Sequence, residues 1–341
     1  VSDAVKEALD AGGNHYTMPI GDQELRQEIA KKLLSYNGIE ANPDTEIIIT
    51  PGSDTGLYHA IRPFIVAGDE VLIPDPSYSN NFANIKIMGG IPVSVPLKEA
   101  NNFQFDIADM ESRVTEKTKM VLMTNPNNPT TTVFSRQKLE QLAEFVIKHD
   151  LVVVIDQVFE SSIFDDREFV SMAALPGMWE RCVTVFSTSK SMSLCGFRVA
   201  YNVACAEIMR VMHASAVYIL GATNTFAQAG ALAALRNDDF VEDYNRIFDL
   251  RRKAAYDTFN AIPGVHCLMP EATFLIWVNI SELGTSGEIA KLLREHAKVA
   301  ATTGSNYGKY GEGSLRFNIA QLDETKFEEV LEQISVTLTG Y

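Results

Sequence analysis

The stretch LVVVID at residues 151–156 decides the fold class: five apolar residues, four of them β-branched, end without transition in a carboxylate. A run this short with no polar alternate positions reads as a strand covered on both faces. CVTVFSTSK at residues 182–190 repeats the pattern, closing in hydroxyls and a lysine. Working outward, Glu46 to Thr50, Glu70 to Pro74, Pro92 to Leu97, Lys119 to Thr124 and Arg198 to Ala204 are read the same way. Between them lie segments of helical spacing. Leu25, Ile29 and Leu33 follow the N-cap candidate Asp22, and Leu139, Leu142 and Val146 follow Ser135. Alternating strands and helices predict an α/β protein whose large domain holds a seven-stranded, mainly parallel sheet between helices.

From about Phe226 the pattern becomes one long helical stretch to Asn260, then Pro263, Gly264 and a mixed segment, which predicts a smaller C-terminal α/β domain. The expected division is residues 14–245 and 246–341, joined by 1–13. A helix-like stretch, Val1 to Leu9, begins at the first residue, so the natural N-terminal segment is expected to be missing.

The 341 residues are 46% hydrophobic and 21% charged, enough for a large core and no disordered class. The formal net charge of -15 disfavours nucleic acid and anionic lipid as partners, since no basic stripe offsets it. Cys182, Cys195, Cys205 and Cys267 lack the paired spacing of a zinc site and read as reduced buried thiols. Apolar runs fall well short of the roughly 20 residues of a membrane span, and no signal peptide opens the chain, which makes the cytoplasm the expected compartment.

In open α/β sheets ligands bind beyond the carboxyl ends of the strands, so the residues after each strand are examined for chemistry. Pro51-Gly52-Ser53-Asp54-Thr55 is a glycine turn opening a helix, able to cradle an anion or to serve as a plain capped turn. Asp75-Pro76-Ser77-Tyr78 offers an aromatic ring at the next strand end, for a flat ligand or simply as a surface turn. Asn125-Pro126-Asn127-Asn128-Pro129-Thr130 is a rigid turn presenting amides. Asp156 is an N-cap or the partner of a cation. Lys190, near Arg198, is a candidate amine nucleophile, or a surface lysine if taken alone. An anion cradle, aromatic lid, amide, carboxylate, lysine, Arg198 and Arg316 together suit a phosphorylated pyridine aldehyde.

With Tyr16, Gly21, Leu25, Arg26, Gly196 and Arg316-Phe317 added in order, the sequence resembles the class I/II aminotransferases of the fold-type I pyridoxal-phosphate family over essentially its whole length. The resemblance implies pyridoxal 5'-phosphate as cofactor, with Lys190 forming the aldimine and then shuttling a proton. It implies that Asp156 keeps the pyridine nitrogen protonated, that Asn128 bonds the ring oxygen, and that Tyr78 stacks on the ring as a third catalytic side chain. Gly52, Ser53, Asp54, Ser187 and Arg198 would hold the phosphate, joined by Tyr16 reaching in from a partner subunit of a homodimer. Arg316, beside Asn128, would bind the substrate carboxylate.

Three positions depart from the family pattern. Phe159 stands where a tyrosine usually donates to the ring oxygen, and Thr131 and Ala200 stand for glycines. Competing readings are another reaction on the same cofactor, such as β-elimination or decarboxylation, and a non-catalytic regulatory domain that binds it; the latter lacks the accompanying basic DNA-reading domain. A nicotinamide-binding protein is disfavoured because no strand is followed by G-x-G-x-x-G. The stretch Tyr218 to Asn224 has no arginine for a second substrate carboxylate, which favours a neutral or aromatic amino donor.

Overall fold

The computed structural model describes residues 1–341. The seven apolar runs are strands: β1 (Ile47–Thr50), β2 (Glu70–Asp75), β3 (Ile91–Pro96), β4 (Thr118–Thr124), β5 (Val152–Asp156), β6 (Cys182–Ser187) and β7 (Ala200–Val203). They form one sheet in the order β1-β7-β6-β5-β4-β2-β3. All are parallel except β7, which runs against both β1 and β6. Only twelve residues separate β6 from β7, too short for a helical crossover, and an antiparallel return is what so short a link allows.

Apolar clusters cover both faces of this sheet. One holds Val153, Ile155 and Phe186, the other Val154, Val183 and Val185, so successive residues of β5 and β6 face opposite layers. Each such side chain contributes about 1.5–3 kcal/mol through burial. The predicted caps are present: Asp22 accepts the Leu25 N–H at 3.0 Å, and Ser135 accepts the Lys138 N–H at 3.3 Å.

The second sheet is antiparallel, β10-β11-β9-β8, built from β8 (His266–Cys267), β9 (Leu275–Asn279), β10 (Thr302–Thr303) and β11 (Ser314–Asn318). It has its own core around Ile276, Val278, Leu315 and Phe317. Trp277, on the other face of β9, packs instead with the core of the large sheet.

The long helical stretch expected from Phe226 to Asn260 is two helices, Thr225–Leu235 and Phe240–Asn260. Arg236, Asn237, Asp238 and Asp239 break it; Asn and Asp compete for backbone hydrogen bonds and so favour a turn here. The expected division at 245/246 falls inside the second helix. Of the four cysteines, Cys182, Cys205 and Cys267 are buried and free as expected, whereas Cys195 is exposed. No helix is long and apolar enough to cross a membrane.

Candidate active site

Because β4, β5 and β6 are adjacent and parallel, their carboxyl ends bring Thr124, Asp156 and the turn after Ser187 to one edge. The antiparallel β11 delivers Arg316 from the second sheet. Between them lies a cavity of about 250 Å³. It is lined by nine of the predicted residues: Ser53, Asp54, Tyr78, Asn128, Asp156, Phe159, Lys190, Arg198 and Arg316.

At one end is the turn after β1. Gly52 adopts φ +91°, which favours glycine, and a Cβ there would lie 2.2 Å from Arg198 Nη2, so a larger residue would also displace the guanidinium. The helix Ser53–Ile61 that follows has no side-chain cap, leaving its first amides without partners in the chain. Arg198 itself is left-handed, φ +55°, and its Nη1 donates to the Cys195 carbonyl at 3.0 Å. That turn aims the guanidinium back at Gly52. The Asp54 carboxylate stands 3.9 Å from Arg198 Nη2 and accepts hydrogen bonds from Tyr78 Oη at 2.9 Å and Asn80 Nδ2 at 2.7 Å. Burial and the Asp54 charge together push the Tyr78 phenol well above its ordinary range, which keeps it a donor.

At the other end, Asp156 is buried, and its carboxyl is pushed up to about 7, chiefly by burial. The Val158 N–H, donating at 3.1 Å, opposes the shift; the Asp54 charge adds to it and the Lys190 charge opposes it. Lys190 sits on the single turn Thr188–Ser191, its ammonium 5.8 Å from the centre of the Phe274 ring. Phe274 meets Phe159 edge to face at 5.4 Å, making an apolar wall beside the two charges.

Arg316 donates through Nη1 to Asn128 Oδ1 at 3.0 Å and lies over the Tyr307 ring at 5.0 Å. Its Nε is buried with no partner. Burial lowers its pKa, so the guanidinium is a cation short of anionic contacts. With Oδ1 of Asn128 engaged, its Nδ2 remains to donate into the cavity.

Three predicted residues do not line the cavity. Gly52 supports it from behind Arg198. Ser187 caps the turn Thr188–Ser191, its Oγ accepting the Ser189 N–H at 3.1 Å, and faces a neighbouring cleft. Of the two serines in this motif the one that lines the cavity is Ser189, its hydroxyl buried and without a partner. Tyr16 is 94% exposed and lies outside its own chain's cavity. Sequence reasoning missed Phe274, Leu275 and Asn318. The pairing of β9 with β11 brings Leu275 and its neighbour Phe274 to the site with no local signal, whereas Asn318, two residues beyond Arg316 on β11, shares its face and was open to strand alternation. Thr131 stands with φ +64°, the left-handed conformation natural to the glycine it replaces, whereas Ala200 is ordinary strand.

Comparison with known proteins accords with this arrangement. The family model for aminotransferase class I and II matches residues 1–334. The aspartate aminotransferase of Pyrococcus abyssi is 37% identical over 99% of this chain and 87% of its own length. Aromatic-amino-acid aminotransferase 2 of Thermococcus litoralis is 34% identical, with the same coverage. The crystal structure of the aromatic aminotransferase from Pyrococcus horikoshii OT3 superposes with a TM-score of 0.96 at 36% identity, covering 99% of this chain and 91% of that one. A seven-stranded sheet, a lysine and a carboxylate at neighbouring strand ends and a whole-length family match all agree: the chain belongs to the class I and II aminotransferases.

Proposed function

We propose that the cavity takes pyridoxal 5'-phosphate and that the protein moves an amino group from a neutral or aromatic amino acid to a 2-oxo acid. The residues present fit that cofactor. Uncapped amides, Arg198 and the unpartnered Ser189 hydroxyl form a cradle for a phosphate. Asp156, held near neutrality by burial, lacks the cation that a protonated pyridine nitrogen would supply. The single observation that carries the reading is the convergence of Lys190, Asp156 and Arg316 on one cavity.

When bound, the cofactor supplies an aldehyde that carries the amino group and a ring that accepts an electron pair from the substrate. Arg316 binds the substrate carboxylate, with Asn128 fixing one of its nitrogens. That contact turns the α-carbon toward Lys190, whose Nζ takes the proton there and later returns one. Asn128 Nδ2 would donate to the ring oxygen, and Tyr78, tethered by Asp54, would close one side. Phe159 and Phe274 keep water from the Lys190 amine.

The preference for neutral or aromatic donors rests on charge. Arg198 and Arg316 are the cavity's arginines, one committed to the phosphate and the other to the α-carboxylate. The relatives carry both aspartate and aromatic names. Tyr16 is proposed to enter the site of a second subunit in a homodimer, consistent with its exposure. The division into bodies of residues 14–245 and 246–341 belongs to the same reading. The test is amino transfer from single amino acids, with a 2-oxo acid as acceptor and the protein saturated with pyridoxal phosphate. Faster turnover with aromatic or neutral donors than with aspartate supports the preference, and no transfer from any amino acid overturns the function.

A further inference from the structure

Asp75, the last residue of β2, is completely buried, and none of the steps above uses it. Its carboxylate reaches across to the loop joining β10 to β11. Oδ2 accepts the Lys309 N–H and Oδ1 the Tyr310 N–H, both at 3.2 Å. Two residues further on, the Ser77 N–H donates to the Tyr307 carbonyl at 2.8 Å. The end of β2 thus grips one loop of the second sheet at three backbone groups.

That loop bears directly on the site. The Tyr307 ring lies against the Arg316 guanidinium at 5.0 Å and meets Trp277 edge to face at 5.9 Å. The same grip holds Tyr78, since Asp75 and Ser77 precede it on one turn. The contact is tight from the loop's side as well. Gly308 has φ +122°, and a Cβ on it would fall 2.1 Å from Asp75 Oδ1. Charge near Asp75 comes from Lys309, whose ammonium lies over the Tyr310 ring, and Ser94 adds a hydrogen bond from β3.

We infer that Asp75 is a positioning residue for substrate binding: it clamps the Tyr307–Gly311 loop to β2 and so sets Arg316 at a fixed distance from Tyr78. The inference rests on the aminotransferase reading, in which Arg316 meets the substrate and Tyr78 the cofactor. A buried carboxylate held by two backbone donors besides Ser94 is a strong clamp, because each bond is charge-assisted and removing it strands both N–H groups. Arg316 has only Asn128 and an aromatic face to hold it, so its aim depends on where Tyr307 lies.

The test compares Asp75→Asn, Asp75→Ala, Gly308→Ala and the double variant Asp75→Ala/Gly308→Ala, all loaded with pyridoxal phosphate. Three quantities are read: KM and kcat for an amino donor that the unaltered protein accepts, cofactor affinity by visible absorbance, and the urea unfolding midpoint. Asp75→Ala and Gly308→Ala each raise KM about tenfold while changing cofactor affinity less than about threefold. Asp75→Asn, which keeps one acceptor oxygen and the side-chain volume, falls between. Because a Cβ on Gly308 would meet Asp75, Asp75→Ala makes room for it, and the double variant loses less than the two single changes combined, the backbone strain at Gly308 alone remaining. Unchanged KM in folded, active variants, or additive losses in the double, overturns the assignment and leaves Asp75 a structural staple. Absence of amino transfer in the unaltered protein overturns the functional reading itself, and this inference with it.

Discussion

The Tyr78 phenol donates a 2.9 Å hydrogen bond to Asp54, which places a carboxylate, half exposed, at the mouth of a cradle otherwise built for an anion. The Asp54 backbone N–H would favour a phosphate there while its side chain would repel one. Asp54→Asn keeps an acceptor for Tyr78 and removes the charge. It is expected to tighten pyridoxal phosphate binding by about three- to fivefold, the modest size reflecting solvent screening. Titration of the cofactor-free protein, followed by absorbance, checks this; weaker binding would mean that the carboxylate holds Tyr78 more than it opposes the phosphate.

Arg316→Ala removes a partly buried cation with no other anionic partner. Substrate binding should weaken by about 2–5 kcal/mol, as for a desolvated charge-assisted contact, with cofactor affinity little changed. Parallel titrations with amino acid and with pyridoxal phosphate separate the two. Equal losses would mark the arginine as structural.

Asp156 gives the cofactor-free protein a pH dependence whose sign follows from burial. Its folded-state carboxyl is raised from 3.8 to about 7, so between those values the folded chain holds a proton that the unfolded chain has lost. Stability from this group therefore falls as pH rises through that window, and the cost is complete above about 7. Asp156→Asn should make the cofactor-free protein more stable at pH 8 by a few kcal/mol at most, with the gain vanishing below about pH 4, while it weakens pyridoxal phosphate. Urea unfolding at both pH values decides it: a less stable asparagine variant at pH 8 would contradict the burial argument.

Thr131 is β-branched yet held at φ +64°, a conformation that costs a non-glycine residue roughly 1–3 kcal/mol. Thr131→Gly should raise stability by about 0.5–1 kcal/mol, since glycine's greater freedom in the unfolded chain offsets part of the relief. Thermal unfolding measures it. A drop in stability would show that packing of the buried threonine outweighs the strain.

The large sheet was legible because its strands are buried on both faces: a run such as residues 151–156 has no amphipathic alternative. The single failure among the helices, the break at Arg236 to Asp239, came where apolar spacing continues across a turn set by Asn237 and two aspartates. Asp156, Lys190 and Asn128 could be found because they end a strand or follow one within four residues, and Arg198 because it stands just before β7, eight residues after the lysine. Ser187 and Ser189 differ by two residues in one motif, and only the cap geometry tells which hydroxyl is already engaged. Phe274 and Asp75 matter through contacts more than a hundred residues apart in the chain, Phe274 with Phe159 and Asp75 with Tyr310, and no local pattern carries such information.

Lys190 is the amine proposed to meet the cofactor's aldehyde. Borohydride added to the protein loaded with pyridoxal phosphate fixes the cofactor to whichever lysine has condensed with it, and peptide mapping identifies that lysine. The label is expected on Lys190, with Lys190→Ala losing both the label and amino transfer. A label on any other lysine, or an unlabelled but active protein, would contradict it.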